Sequence, residues 1–384
     1  MSTHDGTMNI DIATPLLAGL SPQQFMRRHW QRKPLLVRQA VPRVLPPVTR
    51  AEMFTLVGRE DVESRLIVRD RSRWVLKHGP FARGALPPLK QTGWTLLVQG
   101  LDLHVQSARA LLDRFRFVPQ VRCDDLMVSY ASDRGGAGPH FDSYDVFLLQ
   151  VQGQRRWRVS HQSDLSLRPG LALKILSRFE PVHDWLLQPG DMLYLPPHWA
   201  HEGVAVGADC MTCSIGMHAP GQYELGTGVL QRLLDAGEAP QVDRLYSDPQ
   251  QPATDEPGRI PVDLRAFAAN AVMRLVRDPQ VLTCALGEVL SEPKPRVLFD
   301  RNPTARLGGD VYLDRRSRMF YDERRIYLNG ESYLAGGQDA RAMRGLADAR
   351  CLDARTVARL SAEARALLAQ WLRAGWLCTT QISF

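Results

Sequence analysis

The stretch Gly136–Leu149, GAGPHFDSYDVFLL, places His140 and Asp142 two residues apart, just before an apolar run. Residues i and i+2 of a strand point to the same side, so an imidazole and a carboxylate at this spacing can face one barrel interior. That donor pair suits Fe(II), Mn(II) or Zn. Two histidines and one carboxylate on one face of an octahedron leave three positions open, the arrangement of non-haem Fe(II) oxygenases. A third ligand is expected from a later strand. In QPGDMLYLPPHWAHEGVAV, the turn PGD leads into the strand MLYLPP, and His201 stands where the next strand begins. His198 falls in the turn beside Trp199. His161 and His183 read as surface or packing histidines.

Further along the first of these strands, QVQGQRRWRVS reads as a turn at Gly153 followed by a new strand. Trp157 and Val159 should face inward. Parity then places Arg155 on the same face, with Arg156 and Arg158 outside. A buried guanidinium without an anion is costly, and its natural partner is a carboxylate held at two points. That carboxylate belongs either to a ligand or to a protein acid. Asp133 sits in the glycine-flanked loop ASDRGGAG. No G-K-[ST] follows these glycines, so they form no phosphate loop and instead let the backbone approach an iron or substrate closely. Taken alone, Asp133 reads as a solvated turn residue that bonds its own backbone.

These stretches, with LSPQQFMRRHWQRKPLLVRQA, resemble the Jumonji-C family of 2-oxoglutarate oxygenases. The similarity is to its bacterial ribosomal oxygenases, which hydroxylate an arginine of a large-subunit ribosomal protein. The resemblance implies Fe(II) held by His140, Asp142 and His201, with 2-oxoglutarate and dioxygen as co-substrates. It assigns the far carboxylate of 2-oxoglutarate to Arg155 and the hydroxyl of Ser129, with Ser214 a further candidate for that pocket. Asp133 matches the family's substrate acid. The implied fold is mixed α+β: a double-stranded β-helix of the cupin type, a helical region that builds a homodimer, and a C-terminal winged-helix-like domain. The boundaries expected are 1–220, 221–292 and 293–384. The rivals are a 2-oxoglutarate oxygenase acting on histidine, RNA or a small molecule, and an inactive nucleic-acid-binding regulator. The complete set of ligands, together with Arg155, argues against the last.

The elements that must position these residues can be read in outline. Ser21, Pro22 and Gln24 form a helix start with a capping box. KPLLVRQA, residues 33–40, reads as a strand, as does the run 94–99, with a helix at about 105–115. From Cys123 to Met217 short β-rich runs alternate with turns, among them DLMVSYA, EGVAVG and CMTCSIGM, as in a β-sandwich or a barrel. Helical patterns return after Pro220, with a polar, proline-rich loop at 247–261. The last part mixes short strands with helices. The final one runs from Val357 to Trp371, with Gly375 as its cap.

The 384 residues exceed one ordinary domain, and 44% hydrophobic with 23% charged residues reads as soluble and globular. No apolar run is long enough to span a membrane, and the N-terminus shows no secretory pattern, so a cytoplasmic protein is expected. Six cysteines include one isolated C-x-x-C pair, Cys210 and Cys213, in a strand; they read as reduced thiols. The net charge of +7 is carried by dispersed arginines without a dense basic block, which disfavours direct nucleic-acid binding.

Overall fold

The computed structural model describes residues 9–70, 73–236, 245–253 and 258–379. Nine strands form one sheet: β1 (Leu35–Val37), β2 (Ser64–Asp70), β3 (Arg73–His78), β4 (Trp94–Val98), β5 (Cys123–Ala131), β6 (Asp145–Ser160), β7 (His183–Leu187), β8 (Met192–Leu195) and β9 (Ala200–Met217). They lie in the order β1-β8-β6-β9-β5-β4-β2-β3, with β7 also on β6, and every pairing is antiparallel. The sheet rolls around a cavity; of the sandwich and the barrel that the short strands and turns leave open, it is the barrel.

The two longest strands organise the roll. β6 and β9 pair from Asp145–Met217 to Ser160–Ala200. The first half of β6 also pairs with β8, and its second half with β7. The turn expected at Gly153 is therefore a bend inside one continuous strand. Gly153 has φ +64°, and the register with β9 shifts on either side of Gln152. A Cβ there would come within 3.0 Å of Asp209 O and Cys210 Cα, so the partner strand leaves no room for the chain to fold back. Likewise EGVAVG and CMTCSIGM are one strand, β9, interrupted only by the exposed stretch Val206–Ala208.

A large apolar core lies outside the rolled sheet, where Phe25, Phe115, Phe147 and Tyr194 pack against one another. Phe25 comes from α1 (Pro22–Arg28), which starts as its sequence dictates: Ser21 Oγ accepts from Gln24 N–H, and Gln24 Oε1 accepts from Ser21 N–H. α2 (Arg50–Leu56) and α3 (Gln106–Asp113) flank the same core.

After the barrel come α4 (Gln222–Ala236), α5 (Val262–Leu275) and α6 (Pro279–Ser291). α6 packs on α4 and on a small sheet of β11 (Met319–Tyr321), β12 (Arg325–Leu328) and β13 (Glu331–Leu334). A second small sheet joins β10 (Val311–Leu313) to β14 (Cys351–Leu352) and β15 (Leu377–Cys378). With α7 (Gly337–Ala349), α8 (Ala354–Ala358) and α9 (Ala362–Arg373), these strands enclose a core centred on Leu346, Leu368 and Trp371. The single final helix expected from Val357 is thus two, because Ser361 starts a new helix by accepting from Ala364 N–H. α9 ends at Gly375 as read: the N–H groups of Trp376 and Gly375 bond the carbonyls of Trp371 and Leu372. Among the described residues, no helix is long and apolar enough to cross a membrane.

Candidate metal centre

His140 and Asp142 lie on the loop that leads into β6, and His201 opens β9. The loop is stitched to β9 by two backbone exchanges. His140 N–H donates to His201 O at 2.9 Å and His201 N–H to His140 O at 2.8 Å, while Ala205 N–H donates to Gly135 O and Arg134 N–H to Ala205 O. The loop glycines serve this close approach. A Cβ at Gly135 would meet Trp94 O at 2.2 Å, and one at Gly136 would meet Gly203 O at 2.4 Å. Their partners are the backbones of β4 and β9, not the open cavity expected from sequence.

The three side chains converge. One ligand atom from each of His140, Asp142 and His201 lies within 4.8 Å of the others. The histidine rings have centroids 4.3 Å apart, and His201 Nε2 is 3.6 Å from Asp142 Oδ2. Each imidazole is oriented by its own chain: His140 Nδ1 lies 2.8 Å from Gly138 O and His201 Nδ1 2.8 Å from Trp199 O. A carbonyl only accepts, so both Nδ1 atoms carry the proton and both Nε2 lone pairs are free for a metal. Burial, reinforced by the adjacent His140 ring and opposed by Asp142, pushes the His201 imidazole down to about 4. It is neutral at neutral pH, as a ligand must be.

His198 does not join them. It holds φ +63° in the turn before β9, its N–H donates to Asp142 O at 2.7 Å, and its ring packs on Phe141. His161 lies tilted against Trp199 and His183 stacks on Trp185, both as exposed surface histidines.

The three donors open into a cavity of about 520 Å³, lined also by Ser129, Tyr144, Arg155, Trp157, Thr212 and Ser214. The parity argument for Arg155 holds: Arg155 is 4% exposed and Trp157 5%, while Arg156 faces outward to Asp184 at 3.0 Å. Arg155 has no ion pair with any described acid. Its Nη2 lies 3.4 Å from Ser129 Oγ, and its Nε is buried without a partner. A full positive charge therefore ends in the cavity beside a hydroxyl, with no carboxylate of the described residues in ion-pair contact with it. Of the two possible partners, the protein acid is excluded among the described residues.

Asp133 stands apart. Its Oδ1 accepts from Gly207 N–H at 2.9 Å, its Oδ2 is 3.7 Å from Arg134 Nε, and its side chain is 39% exposed. It does not line the cavity. Among the lining residues that escape the sequence reading are Tyr144, Thr212 and Lys174. Tyr144 extends the H-x-D alternation by one step, a signal within reach of the parity rule. Its hydroxyl is held far above the usual range by burial and by Asp142. Thr212 donates to Gln150 Oε1 at 2.8 Å, and Lys174 arrives from the β6–β7 connection; neither has a local signature.

Residues 110–225 match the JmjC domain, and residues 274–378 match the ROXA-like winged helix. The ribosomal protein uL16 3-hydroxylase of Escherichia coli K12 is 34% identical over 275 residues, 70% of this chain and 71% of that protein. A probable ribosomal oxygenase of Haemophilus influenzae is 36% identical over 214 residues, 55% of this chain and 52% of that one. The structure of YcfD, a ribosomal oxygenase from Escherichia coli, in complex with cobalt and 2-oxoglutarate, superposes with a TM-score of 0.79. It is 28% identical and covers 94% of this chain and 98% of that one.

Proposed function

The chain belongs to the family of JmjC-domain ribosomal oxygenases, and from that membership we propose that it is an Fe(II)- and 2-oxoglutarate-dependent hydroxylase of an arginine side chain in a large-subunit ribosomal protein. One observation carries the oxygenase reading. A guanidinium without a protein counter-charge, Arg155, faces the same cavity as a two-histidine, one-carboxylate cluster whose Nε2 atoms are free. The donor set suits Fe(II), and the isolated cation suits the far carboxylate of a dicarboxylate co-substrate.

The residues divide the work. His140, Asp142 and His201 hold the metal on one face. Arg155 takes the distal carboxylate of 2-oxoglutarate, with Ser129 adding a hydroxyl and Ser214 lining the same pocket. Trp157, with its ring centroid 5.8 Å from that of His201, walls one side of the cavity and keeps water from it. When bound, the iron, 2-oxoglutarate and dioxygen supply oxidative decarboxylation to succinate and CO₂ and the oxidising power for hydroxylation. Asp133 is the proposed acid for the substrate guanidinium. Its Oδ1 is fixed by Gly207, and its Oδ2 has a longer, exposed contact with Arg134, at 3.7 Å, that an incoming guanidinium would replace. A carboxylate on the loop that leads to His140 favours arginine over the histidine, RNA or small-molecule alternatives.

We divide the chain at 220 and 292, and assign the helices between these points to a homodimer interface. Every described side chain of α5 is exposed except the half-buried Phe267, and Val262, Val272 and Met273 are each more than half exposed. A 14-residue apolar helix with so little of itself buried needs a partner. The substrate places the enzyme in the cytoplasm, with the ribosome.

The test is mass spectrometry of a recombinant large-subunit protein incubated with the enzyme, Fe(II) and 2-oxoglutarate. One added oxygen on an arginine, absent with His201→Ala, is expected. Oxygen added to a histidine instead would overturn the arginine assignment. Light scattering of the purified chain tests the dimer.

A further inference from the structure

A second set of guanidiniums, more numerous than the acids around them, lies apart from the metal centre, where α3 meets the winged helix. A separate cavity of about 140 Å³ is lined there by Gln106, Arg109, Asp113, Tyr312, Arg315 and Arg350, and it shares no residue with the metal cavity. Asp113 is the one carboxylate among its described lining residues, against three arginines.

Of the three arginines, one has an acidic partner. Arg109 is 8% exposed; its Nη2 donates to Asp113 Oδ1 at 2.6 Å, and its Nε is buried with no partner. Arg350 is also 8% exposed, and its Nη1 and Nη2 donate only to the carbonyls of Ser317 and Asp314, at 3.2 and 2.7 Å. The Asp314 carboxylate is already taken by Arg316 at 2.8 Å. Arg315 donates through Nε to Leu103 O at 2.7 Å and has no acidic partner among the described residues. Burial, with Arg109 adding to it, brings the Arg350 guanidinium down to about 9. The protein holds these groups as cations in a site that lacks the matching negative charge.

We propose that this cavity binds a free phosphate-class oxyanion, which joins Arg109 of the catalytic part to Arg315 and Arg350 of the winged helix. Guanidinium forks match a tetrahedral oxyanion at two points each, and the space corresponds to a few water molecules, enough for one such ion. The arginines come from both sides of the seam, so the anion fixes the winged helix against α3.

Thermal unfolding of the full chain tests this in sodium phosphate against sodium chloride at matched ionic strength. Phosphate should raise the melting temperature saturably, beyond chloride, in the wild type and in Arg155→Ala, whose 2-oxoglutarate pocket is disabled. In Arg315→Gln the apparent phosphate constant should rise about tenfold or more, with succinate formation unchanged. Should that variant fail to fold, Arg315→Lys, which keeps the charge and loses the fork, is read in the same way. An unaltered phosphate response in the Arg315 variants overturns the proposal. So does a wild-type response no larger than that to chloride, or one that vanishes in Arg155→Ala. Stabilisation by adenosine monophosphate but not by inorganic phosphate would mark a nucleotide site and overturn the free-ion assignment.

Discussion

His140 and His201 hold each other through two backbone hydrogen bonds, of 2.9 and 2.8 Å, while their rings stand 4.3 Å apart. The position of the two imidazoles is therefore set by main chain. Removing either ring leaves the bridge in place.

That separation of scaffold from chemistry gives a first expectation. His140→Ala, Asp142→Ala and His201→Ala should each lose metal-dependent 2-oxoglutarate turnover while circular dichroism stays unchanged. His198→Ala should keep its activity, since only its backbone N–H touches Asp142. Succinate assays on the four variants decide; activity in His201→Ala with loss in His198→Ala would refute the ligand assignment.

Arg155→Ala should weaken the co-substrate by roughly 2–4 kcal/mol, the scale of a charge-assisted two-point contact in a low-dielectric site. The apparent 2-oxoglutarate constant would rise on the order of 30- to 1000-fold. Arg156→Ala removes only an exposed pair with Asp184 and should be nearly silent. The comparison is a steady-state titration of 2-oxoglutarate; equal effects would contradict the placement of the two side chains.

Asp133→Asn separates the two roles of that carboxylate. The amide oxygen can still accept from Gly207 N–H, so the loop is kept, but the charge is lost. Hydroxylation of an arginine peptide should fall steeply in Asp133→Asn and Asp133→Ala while uncoupled succinate formation continues. A lysine peptide should react weakly with the wild type, because an ammonium lacks the planar fork. Full hydroxylation by Asp133→Ala would return this residue to a turn-capping role.

Acid sensitivity should have a visible source in Asp191, the acid of the PGD turn. Burial raises its carboxyl, but the N–H groups of Gln39 and Gln188 and the Arg38 guanidinium outweigh that and hold it below the usual range. A depressed folded value means a stabilisation that is complete above the unfolded value of about 4 and disappears as pH falls through the folded one. Asp191→Asn should therefore be less stable by roughly 1–3 kcal/mol at pH 7. The gap should narrow near about pH 3. Urea unfolding at both values measures it; a gap that is constant or widens in acid would contradict this account.

Much of the site was legible because its signals are local. The H-x-D spacing, the histidine at the mouth of β9 and the alternation of Arg155, Trp157 and Val159 need only the period of a strand. The long strands were not legible as single elements. On β6 the cavity-lining residues are Val146 and Leu148 before the bend and Arg155 and Trp157 after it, so the inner face changes from even to odd positions. β9 changes in the opposite sense, from His201 to Thr212 and Ser214. A strand that switches parity reads as two strands with a turn. The apolar run Asp145–Val151 is also buried throughout, with the core on one side and the cavity on the other, which erases any alternation. The strand β13 carries no legible signal, since its four residues run exposed, half-buried, half-buried, exposed, with no alternation.

Gly203 pairs with Trp157 across the β6–β9 ladder, and a Cβ on Gly203 would lie 2.6 Å from the indole ring. These two positions thus share one volume, and their substitutions are not interchangeable in order. Gly203→Ala made first meets a full-sized ring beside His201 and should disturb the metal ligand. Made after Trp157 has become a smaller residue, the same change finds the space vacated. The two mutations should be strongly non-additive, with the double variant better than the Gly203→Ala single. A lineage of such enzymes can therefore exchange the pair in only one direction, through the smaller side chain.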